Sequence, residues 1–285
     1  MSEELKQQDI PLSPSRESEE GVRVIKVGGA VVEDPASLSA LISQFAAMEG
    51  KKILVHGGGR SATKMAARMG IESQMVCGRR ITDDEMLSIV TMVYGGLVNK
   101  HIVAMLQAEG VNAVGLTGAD MNTILSHKRP LKEMTLEDGT KKMVDFGWVG
   151  DVDNVNGEAL HQLTESGFVP VMAPLSHDGK GNLLNTNADT IASTVACGVA
   201  QHCPVTLTYC FEKPGVLSNP DDDNSAIPLI TEASYEQLKA DGIVSGGMIP
   251  KLDNAFAALR QGVSRVLITS ASDIKGEHGT TIVLK

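Results

Sequence analysis

The sequence predicts an α/β fold built on a mainly parallel sheet with helices on both faces. Three observations carry this. Short β-branched runs alternate with amphipathic stretches along most of the chain. Glycine stretches follow the first two of those runs, Gly28-Gly29 after 23–27 and Gly57-Gly58-Gly59 after 53–55, as strand-to-helix turns require. Finally, 285 residues, 42% hydrophobic and with 29 glycines, suffice for one large α/β domain or two lobes. Sheets of this kind bind ligands at the C-terminal ends of their strands.

Residues 1–21 are polar, of mixed charge and contain two prolines, and are expected to form a disordered leader. The first strand is expected at 23–27. Leu38, Leu41, Ile42 and Phe45 recur at helical spacing and mark the helix after it. A strand at 53–55 follows, then a helix marked by Met86, Ile89, Met92 and Val93, then a strand at 112–116. From 126 to 157 the rhythm breaks into a polar, turn-rich segment that reads as a β-hairpin with its turn near Asp138-Gly139. Such a hairpin serves either as a lid on a cleft or as an edge insertion, and pattern alone leaves both open. Strands are expected at 168–173 and 205–209, with a helix from Ala188 to Val199 between them. Met248 to Leu259 reads as a helix, and strands at 265–269 and 281–284 complete the series. The acidic loop from Asn219 to Asn224 reads as a solvated turn, because it lacks the glycine and distal glutamate of a calcium loop.

A formal net charge of −10 argues against a nucleic-acid surface. It does not argue against nucleotides, since one lysine or a nest of amides outweighs a diffuse field at short range. Cys77, Cys197, Cys203 and Cys210 show no paired metal-ligand spacing and read as reduced thiols of a cytoplasmic protein. The N-terminus has no apolar signal core, and no apolar run is expected to span a bilayer. A soluble, cytoplasmic protein without a membrane partner is expected.

The glycine runs are the first candidates for chemistry. Without side chains, backbone amides approach an anion closely, and a following helix N-terminus adds a favourable field. Lys26 places a fixed cation beside the first run, which points to phosphoryl transfer rather than simple phosphate binding. Neither a P-loop nor a dinucleotide fingerprint is present. Asn185, Asn187 and Asp189 alternate in an extended stretch before a helix, which would place them on one face. One of them is enough for an N-cap; three suggest two amides for a ligand and an acid to orient lysines. Ser245-Gly-Gly-Met-Ile-Pro-Lys251 forms another glycine-led helix start, with Lys251 in its first turns. Lys26 and Lys251 together supply two cations to flank a transferring phosphoryl group.

Lys26-Val-Gly-Gly29, His56-Gly-Gly-Gly59, Gly78-Arg-Arg-Ile-Thr82, Asn99-Lys100, Gly147-Trp-Val-Gly-Asp151, Asn185-Thr-Asn-Ala-Asp189 and Gly247-Met-Ile-Pro-Lys251 follow one another in the order seen in N-acetylglutamate kinases. Over 23–285 the chain resembles this branch of the amino-acid kinase superfamily. The resemblance implies a three-layer αβα sandwich, with an N-acylglutamate-binding lobe and dimer interface in 22–200 and an ATP-binding lobe in 201–285. It implies transfer of a phosphoryl group from ATP to the γ-carboxylate of N-acetyl-L-glutamate, or of N-succinyl-L-glutamate, in arginine biosynthesis. Lys26 and Lys251 would stabilise the transition state and Asp189 would orient both. Gly28 and Gly29 would contact ATP phosphates, with Glu212, Gly215, Ser245 and Gly247 on the nucleotide side. Gly58 and Gly59 would hold the acyl substrate, Arg80 its α-carboxylate with help from Asn185, and Asn187 would be a neighbouring contact. Mg²⁺ would ride mostly on the ATP phosphates, with no dedicated protein metal site. His56 reads as a structural hydrogen-bonding residue, because a carboxylate nucleophile needs no general base.

Two departures from the family pattern fall in the nucleotide lobe. The stretch Leu207 to Gly215 places Glu212 where relatives carry aspartate, and Ser270-Ala-Ser-Asp273 replaces a histidine-containing segment. The leader lacks the apolar spacing of the N-terminal helix that joins arginine-inhibited relatives into hexamers, so an arginine-insensitive homodimer is expected, its interface built partly from the helix at 86–107. A PII-type regulator is not indicated. Arg79 offers a spare cation for a succinyl carboxylate, but adjacent residues of an extended segment point oppositely, which turns it away from the ligand. The alternatives are another superfamily member, of glutamate 5-kinase or carbamate kinase type, and a non-catalytic amino-acid-binding pseudokinase. Intact Lys26, Asp189 and Lys251 speak against the last.

Overall fold

The computed structural model describes residues 21–135, 139–245 and 248–285. The expected leader, apart from Gly21, therefore lies outside the described residues, as do Asp138 and Gly247. In chain order, β1 (Val22–Val27) leads into α1 (Gly29–Glu33) and α2 (Pro35–Ala46), and β2 (Lys51–His56) into α3 (Gly59–Arg68). A small ribbon of β3 (Met75–Val76) and β4 (Arg79–Arg80) precedes a long helical segment. That segment comprises α4 (Asp84–Val90), a wider π-wound stretch Thr91–Val98, and α5 (Asn99–Ala108). Then come β5 (Ala113–Leu116), β6 (Ile124–Lys128), β7 (Lys132–Thr135), β8 (Lys141–Val144), β9 (Gly150–Val155) and α6 (Gly157–Glu165). They are followed by β10 (Val169–Met172), β11 (Leu175–His177), β12 (Leu183–Asn185), α7 (Ala188–Val199) and β13 (Val205–Phe211). The last elements are β14 (Leu229–Ile230), α8 (Glu232–Ala240), α9 (Met248–Arg260), β15 (Arg265–Ser270) and β16 (Thr280–Ile282).

Eight strands form one sheet in the order β14-β16-β15-β13-β1-β2-β10-β5. All neighbours run parallel except β15 and β16. Successive residues of the central strands enter different cores, as the two-residue period of a strand demands. Val24, Ile53, Leu207 and Val266 join one core with Ile191 and Val195 of α7 and Phe256 of α9. Ile25, Leu54 and Val171 join another with Leu41 and Phe45 of α2 and Ile89 and Ile102 of the long helical segment. The result is the three-layer αβα sandwich that the sequence predicts. The first core draws on residues from both sides of position 200, so the proposed lobes share a sheet and a core.

Local chemistry fixes the helix ends. Asp34 caps α2, accepting from the Ser37 amide at 2.8 Å with Pro35 at the first position, and Asp83 caps α4 through the Met86 amide at 2.8 Å. At the far end of α2, the buried Lys52 of β2 donates to the Phe45 and Ala46 carbonyls at 2.6 and 3.2 Å. Burial pushes the Lys52 pKa down, and the Arg23 guanidinium adds to the effect.

Asp84–Ala108 forms 25 residues of continuous helix, long and apolar enough by composition to cross a membrane. The expectation that no segment reaches that length gives way here. Packing accounts for the apolarity: Met86, Ile89, Val93, Ile102 and Leu106 are buried, whereas Met92 and Leu97 are 50% and 58% exposed.

A second sheet, β12-β11-β6-β9, flanks the first and is absent from the sequence expectations. The hairpin is present as β7 and β8, antiparallel from Lys132 opposite Val144 to Thr135 opposite Lys141. Val144, Phe146 and Val149 make a small core with Met134, Val76 and Ile81. That core fastens the hairpin to the β3–β4 ribbon.

Candidate functional site

The site forms where β1, β2 and β13 end side by side, at the point where strand order reverses around β1. The two glycine runs leave these strands and lie against each other. A Cβ on Gly57 would stand 2.9 Å from the Gly29 amide nitrogen, and one on Gly29 would stand 3.6 Å from the nitrogen of Gly58. At Gly57 a side chain could not fit without a shift, whereas at Gly29 a Cβ would make ordinary contact. Gly28 and Gly58 begin α1 and α3 with no side-chain cap, so first-turn amides are left for a ligand.

Lys26, near the end of β1, is 7% exposed. Its Nζ lies 2.8 Å from Asp189 Oδ1, as an ion pair rather than an aligned hydrogen bond. Lys251 reaches in from α9, with its Nζ 3.9 Å from the centre of the Phe211 ring, and Lys26 Nζ lies 5.6 Å from the same ring. Burial lowers the Lys251 pKa; Lys26 lowers it further, while Asp189 and Glu212 oppose the shift. A cleft of about 490 Å³ opens here, lined by Gly28, Gly29, Gly59, Phe211, Glu212, Gly215 and Lys251 among others. Glu212 stands 3.9 Å from Arg60 across it. Gly215 is pinned near Thr280, whose Oγ1 accepts from the Val216 amide at 2.8 Å and would sit 2.6 Å from a Cβ at 215. Lys26 and Asp189 are not among the residues lining it, but the Lys26 ammonium lies just behind Gly28, 3.9 Å from where a Cβ would stand. With Lys251 on the wall, the cleft fits a polyphosphate. Among the described residues, no three His, Cys, Asp or Glu side chains gather as a metal cluster.

The second half of the site gathers around Arg80. Its guanidinium donates to the Gly59 carbonyl at 2.8 Å, Thr63 Oγ1 at 2.8 Å and Ser73 Oγ at 2.9 Å. Arg80 thus sits at the head of α3, beside Gly58 and Gly59. Tyr94, from the π-wound stretch, forms the adjacent wall: a Cβ on Gly58 would fall 2.9 Å from its ring. Asn185 donates to Thr82 Oγ1 at 2.9 Å, and its amide nitrogen to the Trp148 carbonyl at 2.8 Å. Trp148 in turn donates its amide to the Thr82 carbonyl at 2.6 Å. Gly147 makes that contact possible, with φ of 69° and a Cβ position only 2.2 Å from the Thr82 oxygen. Three separate motifs of the sequence thereby become one substructure.

The expected single face of Asn185, Asn187 and Asp189 is corrected. Asn185 ends β12, Asn187 is the N-cap of α7, and Asp189 lies in the first turn of that helix. Asn187 Oδ1 accepts from the Asp189 and Thr190 amides at 2.8 and 3.2 Å, which leaves only its NH₂ group for a ligand. The cap, however, aims Asp189 at Lys26. Ser245 is exposed just before α9, its carbonyl accepting from the Met248 amide at 3.2 Å, and is not among the residues lining the cleft.

His56 is fully buried at the end of β2. Its Nδ1 donates to the Gly57 carbonyl at 2.8 Å, and its Nε2 accepts from Asn99 at 3.2 Å. Burial drops its pKa to about 4, so the ring is neutral and structural. Phe211 and Tyr94 are the side chains of the site that the sequence reading misses. Phe211 lies inside the departure already noted at 207–215, which is the available signal; Tyr94 gives none, since it reads as one more apolar residue of a helix.

The amino acid kinase family matches residues 21–270. An acetylglutamate kinase of Bacteroides thetaiotaomicron is 60% identical over 263 residues, which cover 92% of this chain and 98% of the relative. An acetylglutamate kinase of Parabacteroides distasonis is 57% identical over 259 residues, covering 91% and 98%. Among solved structures, N-acetylglutamate synthase from Neisseria gonorrhoeae, complexed with coenzyme A and N-acetyl-glutamate, matches with a TM-score of 0.74 and 22% identity. The match covers 95% of this chain and 61% of that one, and shows a shared fold.

Proposed function

The chain belongs to the amino acid kinase family, and on that premise we propose that it transfers the γ-phosphoryl group of ATP to the γ-carboxylate of N-acetyl-L-glutamate. The observation that carries this reading is the clustering of Lys26, Asp189 and Lys251 beside a cleft partly lined by glycines, in a chain 60% identical to an acetylglutamate kinase. ATP would supply the phosphoryl group, and Mg²⁺ bound with it would offset part of its charge. Amides at Gly28 and Gly29 hold phosphate oxygens. Arg80, Asn185 and the Gly58-Gly59 turn hold the acyl substrate so that its carboxylate lies in line with the phosphorus. That carboxylate is already ionised at neutral pH, so no side chain has to remove a proton. Lys26 and Lys251 meet the charge that spreads over the equatorial oxygens, and Asp189 holds Lys26 in register. The product acyl phosphate serves arginine biosynthesis in the cytoplasm.

N-acetyl is the acyl group that the names of the relatives support. Arg80 turns inward to Gly59, while Arg79, its neighbour in β4, is exposed. The protein acts as a homodimer through the exposed side of the 84–108 helix, without arginine feedback. An ADP-release assay with N-acetylglutamate, N-succinylglutamate, glutamate and carbamate tests the reading. Turnover is expected with N-acetylglutamate above the rest, at a selectivity unchanged in Arg79→Ala; turnover confined to glutamate or carbamate overturns it.

A further inference from the structure

The two lysines of the cleft have unequal partners. Lys26 has a carboxylate, Asp189, at 2.8 Å. Among the described residues Lys251 makes no ion pair; its close partner is the face of Phe211, at 3.9 Å from the ring centre. The charged groups that face it are Lys26 from β1, Asp189 from α7 and Glu212 at the end of β13. Phe211 is itself held in place by Tyr209, two residues back on the same side of β13, with ring centres 6.0 Å apart and planes 11° from parallel.

We infer that Phe211 is a positioning residue: its π face holds the Lys251 ammonium, still charged, at the phosphoryl site. This rests on the kinase reading above. The physical case is one of choosing a partner. Lys251 is half-buried and faces the Lys26 cation, and both effects disfavour its charge. A second carboxylate would restore the charge but would also compete with, and repel, an incoming phosphate. An aromatic face attracts the ammonium through its quadrupole, brings no net charge and forms no directed bond. The cation is thus kept ready and given up readily. Because Lys26 lies farther from the same ring, 5.6 Å from its centre, Phe211 acts chiefly on Lys251.

The experiment is competitive acetylation of Lys251 by acetic anhydride across pH, read by mass spectrometry on the full chain without ligand, beside steady-state kinetics. It compares wild type, Phe211→Leu, Phe211→Tyr and a protein with trifluorophenylalanine at 211. The fluorinated ring keeps its shape while its face loses negative charge. The labelling midpoint is expected to fall in the leucine and fluorinated proteins and to stay in Phe211→Tyr. In the same two proteins kcat is expected to drop about tenfold, with KM for N-acetylglutamate within about twofold. An unmoved midpoint in the fluorinated protein overturns the inference, even if Phe211→Leu fails to fold. A shifted midpoint in a chain that releases no ADP with N-acetylglutamate upholds the contact and overturns the kinase reading instead.

Discussion

Lys26 and Lys251 are treated differently by their surroundings, yet removing either should have one kinetic outcome. On the proposed mechanism each meets charge that appears only as the phosphoryl group moves, so Lys26→Ala and Lys251→Ala should lower kcat by about a hundredfold or more while KM for N-acetylglutamate stays nearly constant. Steady-state kinetics check this, and undiminished kcat in either variant removes that lysine from the clamp. His56 makes a prediction of another kind. Its folded pKa, about 4, lies below the unfolded value of about 6.5, so between those limits the unfolded chain binds the extra proton. Stability is therefore fully present above about pH 6.5 and is lost as pH falls, by up to about 3 kcal/mol near pH 4. Denaturant unfolding of wild type and His56→Asn across this window should show a steeper loss in wild type; parallel curves would refute the assignment. At this scale the meeting of Lys26, Asp189 and Lys251 is legible in the sequence, because their spacing from glycines and helix starts already implies it. Phe211 and Tyr94 are not, since a ring acts through where its face lies, which no local pattern encodes.

Among the elements, the paired glycine turns set the shape of the cleft. Gly57 has an ordinary backbone conformation, so the obstacle to alanine there is the Gly29 amide 2.9 Å from the new methyl. Gly57→Ala should cost about 1–3 kcal/mol by thermal unfolding and weaken both substrates. Gly59→Ala, whose Cβ would meet nothing closer than 4.0 Å, should leave stability within about 0.5 kcal/mol. Equal losses in the two variants would show that the abutment of the turns does not matter. Central strands and their covering helices are readable because long apolar runs at a fixed period have one compact solution. The second sheet is not. Its strands run from three to six residues, β9 carries Asp151, Asp153 and Asn154, and β6 pairs with it through a register shift between Leu125 and Ser126. Such strands are defined by partners far away in the chain.

At the scale of the whole molecule, the long apolar helix at 84–108 leaves one side exposed. Met92 and Leu97 project from the 84–108 helix while its other side is built into the core. On the proposed dimer, sedimentation should give twice the chain mass, and Leu97→Glu should shift it towards the monomer. A monomeric or hexameric wild type would overturn that assembly. The architecture was predictable from rhythm and length, whereas the continuity of sheet and core past residue 200 is a property of strand order, which is set by β1 lying between β2 and β13.

The contact of the two glycine runs has a thermodynamic consequence. On the proposed assignment, ordering the amides at Gly28-Gly29 around a phosphate would also restrict Gly57 to Gly59, and the first ligand to arrive would meet part of the entropy cost of the second. The two binding equilibria are then linked, and linkage has no direction. Whatever factor the nucleotide adds to the affinity for the acyl amino acid, the acyl amino acid must add to the affinity for the nucleotide.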